Sequence, residues 1–405
     1  MSKIRVKHFG PIKEGYSNNK WIDIKKTTIF IGNQGSGKST VAKLISTLTW
    51  VEKALIRGDF NENDLIKNNR LKKYFAYQNL NDYFKNNTVI EYIGKAYSIS
   101  YDKGIVGVEN LKTKSYAFPK IMYVPSERNF TSSVRNIRTL KGLPSTLYTF
   151  SDEFVGALED LREQILLPIN NVKLEYQKLN KIPWIIGDNY KIRLSDSSSG
   201  FQSLVPLFVV SEYLAKSLGK EEKGNIKTIS IDEERRIRKE VEMILSNPNI
   251  SSDIKLNSLE FLSSKFVYSS FVNIVEEPEQ NLFPSSQNSI LNTLFECNNL
   301  REENCLVITT HSPYIINYAS IAIQAGQLLG KIKSEELKNS LNSVVPIKST
   351  LKGEDVVIYQ LDEKDGSINI LSTFEGIPSD HNFLNDSLSI GNNMFDRLLE
   401  IEQEL

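Results

Sequence analysis

The sequence predicts an α/β fold with a mostly parallel central sheet, and three features of the chain indicate it. Short apolar runs suited to buried strands recur along the chain, and each ends at a cluster of polar residues. One run leads directly into a glycine-rich loop. A helical repeat of apolar residues follows that loop. Buried parallel strands have such continuous apolar sequences, and these sheets bind ligands at the carboxyl ends of their strands.

The amino-terminal part contains two kinds of strand pattern. Residues 4–9 and 21–24 alternate apolar and polar side chains, which is typical of half-buried strands. Residues 27–31 form a short apolar run instead, as expected of a strand buried on both faces. The further elements up to Pro125 are short surface helices within 57–88, a hairpin over 89–100 and a strand over 120–124.

The same patterns continue after Pro125. A Ser/Thr/Arg-rich loop over 130–145 precedes a helix over 151–167, which Pro168 ends. Residues 187–189 form the turn of a predicted hairpin. The further elements are an apolar helix ending at about 218, a charged helix over 231–245, strands over 271–275, 305–310, 356–361 and 368–371, and a final helix.

Composition excludes several classes of protein. The chain has 405 residues with 49 Lys plus Arg and 49 Asp plus Glu, so a globally basic nucleic-acid binder is disfavoured, although a local basic patch stays open. Two cysteines supply no disulfide framework, which suits a reducing compartment. No apolar run approaches the length of a membrane span, and the amino terminus lacks the pattern of a secretory signal. We therefore expect a soluble cytoplasmic protein without membrane contact.

The glycine-rich loop fits the phosphate-binding pattern G-x-x-x-x-G-K-[ST] in full, from Gly32 to Ser39. Gly35 and Gly37 let the backbone turn its amides inward, and the helix that follows adds positive potential. Lys38 would reach the β- and γ-phosphates of a nucleotide, and the Ser39 hydroxyl would bind Mg²⁺. The predicted nucleotide contacts are Asn33, Gly35, Ser36, Gly37, Lys38, Ser39 and Thr40.

An acidic cluster ends the strand over 271–275. Glu276 and Glu277 follow it directly, and Pro278 comes next. We assign Glu276 to the metal and Glu277 to the attacking water. Neighbouring residues of a strand point to opposite faces, so the strand must end there for both carboxylates to reach one site. The alternative is a solvated acidic turn.

Two further groups lie where a nucleotide could use them. His311 directly follows the strand over 305–310, where it could contact a γ-phosphate, although a lone histidine at a strand end is more often structural. The cluster Ser197–Gly200, with Gln202, precedes the apolar helix. Its hydroxyls and amides would form an anion site at the helix start, or simply cap the helix.

Taken together, these residues resemble the ABC-type ATPase heads of Rad50, SMC and RecF proteins, and more narrowly the bacterial AAA-family ATPases of the OLD (overcoming lysogenization defect) group. The motifs appear in the family's order and span residues 4–318. The matching segments are the opening strand with Phe9-Gly-Pro-Ile12, Walker A (32–40), the segment 124–128 near the Q-loop, the signature (198–202), Walker B (272–277) and the switch histidine His311. The chain departs from the pattern by having no evident Q-loop glutamine, which leaves Glu127 or Arg128 for that place.

The resemblance implies an α/β ATPase head with a mixed central sheet, an amino-terminal antiparallel β part and a helical insertion. It also implies a head-to-tail homodimer, or a higher oligomer, that encloses ATP and Mg²⁺. Ser199 and Gly200 of one subunit would then contact the nucleotide held by Lys38 of the other. Catalysis would fall to Glu277, His311 and Lys38, with Ser39 and Glu276 at the metal.

The resemblance further implies a molecular switch. OLD proteins carry a Toprim nuclease, but residues 319–405 contain no Glu-Gly-x-x-Asp arrangement. We therefore expect a sensor or regulatory ATPase that controls a separately encoded effector, such as a nuclease. This arrangement is similar to the bacterial anti-phage systems Septu, PARIS and some retrons.

The motifs suggest four parts of the chain: 1–125 with Walker A, a helical lid over 126–182, a part over 183–330 and an α/β extension over 331–405. The third part holds the signature, Walker B and the switch histidine, with a helical insertion at about 220–265. Glu276 follows Gly200 by 76 positions, which disfavours a transporter subunit, because transporter ATPases keep that distance much shorter.

Two other functions compete with the switch. One is a DNA-repair clamp like RecF or Rad50, supported by a loop with the basic residues Arg128, Arg135, Arg138 and Lys141. The other is a small-molecule kinase or GTPase. It is disfavoured because Asn180-Lys181 lacks the aspartate of a guanine motif.

Overall fold

The computed structural model describes residues 2–67, 70–134, 137–218, 241–242, 246 and 268–404. The charged helix predicted over 231–245 and the insertion expected at about 220–265 lie outside these residues, apart from 241–242 and 246.

The strands of the described residues are β1 (Ser2–Phe9), β2 (Gly15–Tyr16), β3 (Ile22–Ile24), β4 (Thr27–Gly32), β5 (Phe84–Ile93), β6 (Tyr97–Asp102), β7 (Ile105–Asn110), β8 (Pro119–Val124), β9 (Ile165–Leu166), β10 (Lys173–Gln177), β11 (Ile182–Ile186), β12 (Lys191–Arg193), β13 (Ser270–Glu276), β14 (Cys305–Thr310), β15 (Val356–Leu361), β16 (Ser367–Ile370), β17 (Thr373–Phe374) and β18 (Ile377–Pro378).

The helices are α1 (Lys38–Arg57), α2 (Glu62–Ile66), α3 (Arg70–Ala76), α4 (Phe130–Ser133), α5 (Ser145–Asp160), α6 (Ser199–Ser217), α7 (Pro284–Asn299), α8 (Pro313–Leu329), α9 (Glu335–Val344) and α10 (Phe383–Gln403). Among these helices, none combines the length and the apolar character that crossing a bilayer requires.

The central sheet has the strand order β2-β16-β15-β4-β14-β13-β8. Its members β15, β4, β14, β13 and β8 are parallel neighbours, while β16 runs antiparallel to β15. The predicted mixed, mostly parallel sheet is therefore confirmed. In its register Thr310 lies opposite Ile31, Thr309 opposite Glu276, and Val275 opposite Val124. The carboxyl ends of four strands thus meet at one edge, which we call the carboxyl edge.

An antiparallel sheet of order β3-β1-β5-β6-β7 forms the amino-terminal β part that the sequence predicts. A smaller antiparallel sheet has the order β12-β11-β10-β9. Both predicted hairpins are confirmed, since β5 pairs with β6 and β11 pairs with β12.

Two apolar layers cover the faces of the central sheet. Along β4, Ile29 and Ile31 join one layer and Phe30 joins the other. The first layer holds residues of α5, α6, α7 and α8, and the second holds residues of α1 and the antiparallel sheet. Because helices cover both faces, β4 and β13 are buried along their whole length.

Two element boundaries differ from the prediction. The helix predicted over 151–167 begins at Ser145 and ends at Asp160, because the backbone becomes extended at Leu161. Residues 165–166 form β9, which pairs with β10. Ile165 packs against the same core as the helix. Its spacing from the apolar residues of the helix therefore resembled that of a continued helix. The loop predicted over 130–145 contains the short helix α4.

Glu52 of α1 anchors the turn between β5 and β6. Its carboxylate is 1 % exposed and accepts hydrogen bonds from the amides of Ala96 (2.6 Å) and Tyr97 (3.1 Å) and from the Tyr92 hydroxyl (2.9 Å). Burial raises the pKa of this carboxyl, and the amide hydrogen bonds oppose the rise.

Replacing Glu52 by Ala should leave two buried amides without acceptors. We expect the free energy of unfolding to fall by about 2–4 kcal/mol, measured by urea denaturation. The exposed Glu109→Ala variant is the control and should stay within about 0.5 kcal/mol of the parent. Equal stability of the two variants would show that Glu52 does not hold this turn.

Candidate functional site

The phosphate loop follows β4 at the carboxyl edge. Gly35 and Gly37 have φ angles of 75° and 101°, which ordinary residues rarely adopt, so the turn depends on glycine as predicted. Gly37 precedes the first residue of α1, and the loop therefore ends at a helix amino terminus. Of the predicted contact residues, Asn33, Gly35 and Ser39 are exposed, whereas Ser36, Gly37, Lys38 and Thr40 are buried.

The Lys38 ammonium is held inside the loop. It donates hydrogen bonds to the carbonyls of Gly32 (2.9 Å) and Asn33 (2.8 Å) and lies 3.5 Å from Nδ1 of His311. Burial lowers the pKa of Lys38 to about 8, although nearby carboxylates, led by Glu277, oppose that shift. A poorly solvated cation bonded only to neutral groups has a strong tendency to bind an anion.

Strand β13 ends at Glu276, as predicted for a strand whose two terminal carboxylates, Glu276 and Glu277, belong to one site. Glu276 is its last residue, and Glu277 turns the chain with a φ of 44°. The Glu277 amide donates to the carbonyl of Thr309 (2.8 Å), which fixes the turn against β14. The Glu277 carboxylate lies with its Oε1 3.6 Å from Nε2 of His311. Burial, followed by the neighbouring Glu276 carboxylate, raises the pKa of Glu277.

His311 joins these groups from the end of β14. Burial and the Lys38 ammonium lower its pKa, so the imidazole is uncharged at neutral pH. Lys38, Glu277 and His311, predicted from three separate motifs, therefore form one cluster.

Glu276 has the environment of a metal ligand. The residue is 5 % exposed, and its Oε2 accepts a hydrogen bond from the amide of Ser126 (3.3 Å). Its Oε1 is buried without a hydrogen-bond partner among the described residues, as is the Oγ of Ser36. Burial raises the pKa of the Tyr123 hydroxyl, and the nearby Glu276 carboxylate adds to the rise. Within the described chain, no group of three or more His, Cys, Asp or Glu could hold a metal alone.

This donor set fits Mg²⁺. That ion is usually held by one or two protein oxygens together with substrate phosphates and water. Glu276 and the exposed hydroxyl of Ser39 supply such oxygens from packed elements, since α1 contacts β13.

Arg128 connects three segments of the site through hydrogen bonds to their backbones, a role that the sequence did not predict. Its side chain is fully buried and donates to the carbonyls of Pro125 (3.2 Å), Ser203 (3.1 Å), Glu276 (2.7 Å) and Glu277 (2.6 Å). Burial lowers the pKa of Arg128 to about 10, against the pull of nearby carboxylates. One guanidinium therefore fixes the backbone of Glu276, predicted at the metal, the backbone of Glu277, predicted as catalytic, and the first turns of α6.

This position corrects two expectations for Arg128. It cannot serve at a Q-loop contact or in a basic surface that meets nucleic acid, because it is buried and engaged by four carbonyls. Glu127 and Lys141 are exposed, while Arg135 and the side chain of Arg138 lie outside what the structure describes.

Glu279 is a second residue that was not assigned. Its Oε1 accepts hydrogen bonds from the Thr310 hydroxyl (2.8 Å) and from the amide of His311 (2.7 Å). Burial raises the pKa of Glu279. The carboxylate holds the backbone of the histidine in place. The sequence contains the signal, since Glu279 follows the end of β13, and its parallel neighbour β14 ends directly before His311.

The signature residues lie beside β13 rather than beside β4. Ser199 begins α6 and is exposed, and Gly200 follows it. A Cβ on Gly200 would lie 3.0 Å from the carbonyl of Asn281, so the acidic segment packs closely on this helix start. Asn281 also donates to the Ser203 hydroxyl (3.0 Å). Helix α6 packs on one face of the central sheet, whereas α1, which follows the phosphate loop, packs on the other face.

No family model matches the chain, and no curated protein matches it. Solved structures similar to the chain include the SMC head domain from Thermotoga maritima (11% identity, 92% of this chain and 98% of that chain covered, TM-score 0.38). A dimeric ATP-binding cassette bound to ADP and Pi has 12% identity, 92% and 100% coverage and a TM-score of 0.30. The recombination mediator RecF with ATP has 11% identity, 91% and 97% coverage and a TM-score of 0.30. The function proposed below rests on the residues of the site.

Replacing Arg128 by Met should remove the hydrogen bonds that its guanidinium donates to four backbone carbonyls at the carboxyl edge. We expect the free energy of unfolding to fall by about 3 kcal/mol or more, measured by urea denaturation. The exposed Arg162→Met variant is the matched control and should stay within about 0.5 kcal/mol of the parent. A stability of Arg128→Met equal to that of the control would contradict the role assigned to this guanidinium.

Proposed function

We propose that the chain is an ABC-type ATPase that binds Mg-ATP at the carboxyl edge and hydrolyses it to ADP and phosphate. The observation that carries the proposal is the cluster of Lys38, Glu277 and His311. Three strands bring a phosphate-binding cation, a carboxylate and an uncharged imidazole to one place. Phosphoryl transfer to water needs little more from a protein than such positioning and charge.

The phosphate loop binds the nucleotide in this proposal. Lys38 exchanges the carbonyls of Gly32 and Asn33 for phosphate oxygens, and the amides at the start of α1 add further donors. The remaining contacts come from Asn33, Gly35, Ser36, Gly37, Ser39 and Thr40. Mg²⁺, held by Ser39 and Glu276, neutralises charge on the phosphates when it is bound.

Glu277 acts as the general base. The oxygen of a water attacks the γ-phosphorus, the bond from that phosphorus to the β–γ bridging oxygen breaks, and Glu277 accepts the proton that the water loses. The left-handed turn at Glu277 directs its carboxylate away from the strand ladder and towards His311. His311 lies between Lys38 and Glu277, and in this proposal its ring donates to the γ-phosphate.

A homodimer completes the site in this proposal. Ser199 and Gly200 are at an accessible helix start, and their helix packs on the face of the central sheet opposite to α1 and its phosphate loop. In a two-fold pair they would meet the nucleotide bound by the other copy, and each ATP would be held by both subunits. ATP then favours the closed pair because it binds that state better.

The biological role that we propose is a cytoplasmic sensor or regulatory subunit of a bacterial anti-phage complex. A separately encoded effector, such as a nuclease, would respond to the closed pair. The order and spacing of the motifs support this role. The alternative is a RecF- or Rad50-like DNA clamp. The basic surface proposed for such a clamp cannot include Arg128, since that side chain is buried.

Replacing Glu277 by Gln should separate binding from chemistry. We expect the Kd for Mg-ATP to stay within about threefold of the parent, while kcat falls by about 10²–10⁴-fold. Replacing Lys38 by Ala should instead weaken binding at least about tenfold. Fluorescent nucleotide titration and phosphate release measure the two quantities.

The exposed Glu302→Gln variant is the control and should hydrolyse ATP like the parent. Parental turnover by Glu277→Gln would exclude this residue as the base. A parent chain that neither binds nor hydrolyses ATP would refute the proposed function.

A further inference from the structure

Within the part of the chain that the structure describes, α10 is attached to the rest of the molecule through its first turn. Asn382 caps it, and its Oδ1 accepts from the amides of Leu384 and Asn385. The amide of Phe383 donates to Oε1 of Gln360 on β15 (2.9 Å), and the helix start also contacts β4. From Asp386 onward, the described side chains of the helix are exposed.

The exposed part of α10 carries an apolar face. We define this face by six side chains that are 40–63% exposed: Ile390, Met394, Phe395, Leu398, Leu399 and Ile401. At about 100° per residue they span roughly half of the helix circumference. The opposite side carries polar and acidic residues, including Ser389, Asn393, Asp396 and Glu400. Large apolar side chains gathered in this way on a surface indicate an interaction site.

The size of the face suits a pair of such helices. With about 100 Å² of apolar surface for each of its partly exposed side chains, one helix presents roughly 600 Å². Two faces together would bury about 1,200 Å², which reaches the lower end of the range for specific protein pairs.

The charge distribution selects the direction of pairing. Residues 394–404 contain Asp396, Glu400, Glu402 and Glu404 with one arginine, whereas residues 383–393 contain Asp386 as their one charged residue. Parallel helices would set the acidic ends of two copies side by side, which is unfavourable. Antiparallel helices set each acidic end against the nearly neutral half of the other copy.

Three of the six apolar residues also match in an antiparallel register. When Met394 is opposite Met394 of a second copy, Ile390 of each helix is opposite Leu398 of the other. This arrangement is two-fold symmetric, so both copies use the same surface.

We propose that a second copy of this chain covers the apolar face of α10, as an antiparallel helix pair centred on Met394. The pair forms without nucleotide and is therefore distinct from the ATP-dependent contact proposed above. Because α10 begins beside β15 and β4, the pair holds two phosphate-loop edges in one assembly.

Light scattering of the full chain without nucleotide tests this pairing. At about 20 μM the parent should have the mass of a dimer and dissociate on dilution. The double variant Met394→Asp/Leu398→Asp should be a monomer, since it places charges within the apolar face. Ser389→Asp/Asn393→Asp adds the same charges on the opposite side and should remain a dimer.

Cysteine cross-linking tests the direction. Oxidation of a mixture of Ile390→Cys and Leu398→Cys chains should give a disulfide-linked dimer, while each variant alone gives only the background of the parent chain. In the proposed register the two Ile390 positions are eight residues apart along the axis, about 12 Å, which a disulfide cannot span.

Three results would overturn the proposal. The parent could remain a monomer, Met394→Asp/Leu398→Asp could remain a dimer, or Ile390→Cys could link to itself in preference to Leu398→Cys. If the parent is a monomer, the apolar face of α10 would instead bind a different protein. None of these results bears on ATP hydrolysis, so they are distinguishable from a failure of the proposed function.

Discussion

The carboxyl edge of this protein depends on one buried cation. The Arg128 guanidinium has lost its water and is bonded to four backbone carbonyls from three segments of the chain. Burying a charge is costly, and the cost is offset only when all three segments are in place. The carboxylates around it, led by Glu279, also favour its charged form. The left-handed turn at Glu277, a conformation that costs about 1–3 kcal/mol, is held by this cation on its carbonyl and by Thr309 on its amide.

This arrangement joins the proposed chemistry to the proposed dimer contact. Arg128 holds the carbonyl of Glu277 and that of Ser203, one turn into the helix that Ser199 begins. Asn281 adds a second link, because it follows the acidic cluster and donates to the Ser203 hydroxyl. If a nucleotide bound to a second copy displaced α6, Arg128 and Asn281 would therefore transmit the movement to the backbone next to the general base Glu277.

Much of the fold and the Lys38, Glu277 and His311 positions could be predicted, because their signals are local. A strand, a glycine turn and a helix follow each other directly around Lys38, and Pro278 marks the end of β13 beside Glu277. The role of Arg128 could not be predicted, since it depends on β8 lying next to β13 in the sheet. Arg128 and Glu276, whose carbonyl it binds, are 148 positions apart in the sequence. In the sequence, a Ser-Glu-Arg segment has the composition of a surface loop. The end of α5 was missed for a related reason, since Ile165 packs on the same core from a strand.

The most direct test of the account is the solution mass of a chain that binds ATP but cannot hydrolyse it. Glu277→Gln in the Met394→Asp/Leu398→Asp background removes the helix contact and leaves only the nucleotide-dependent one. The account predicts a monomer without nucleotide, a dimer with Mg-ATP, and a monomer again when Ser199→Arg is added. A chain that binds Mg-ATP and stays monomeric would contradict the shared nucleotide site and leave a P-loop ATPase that works within a single subunit.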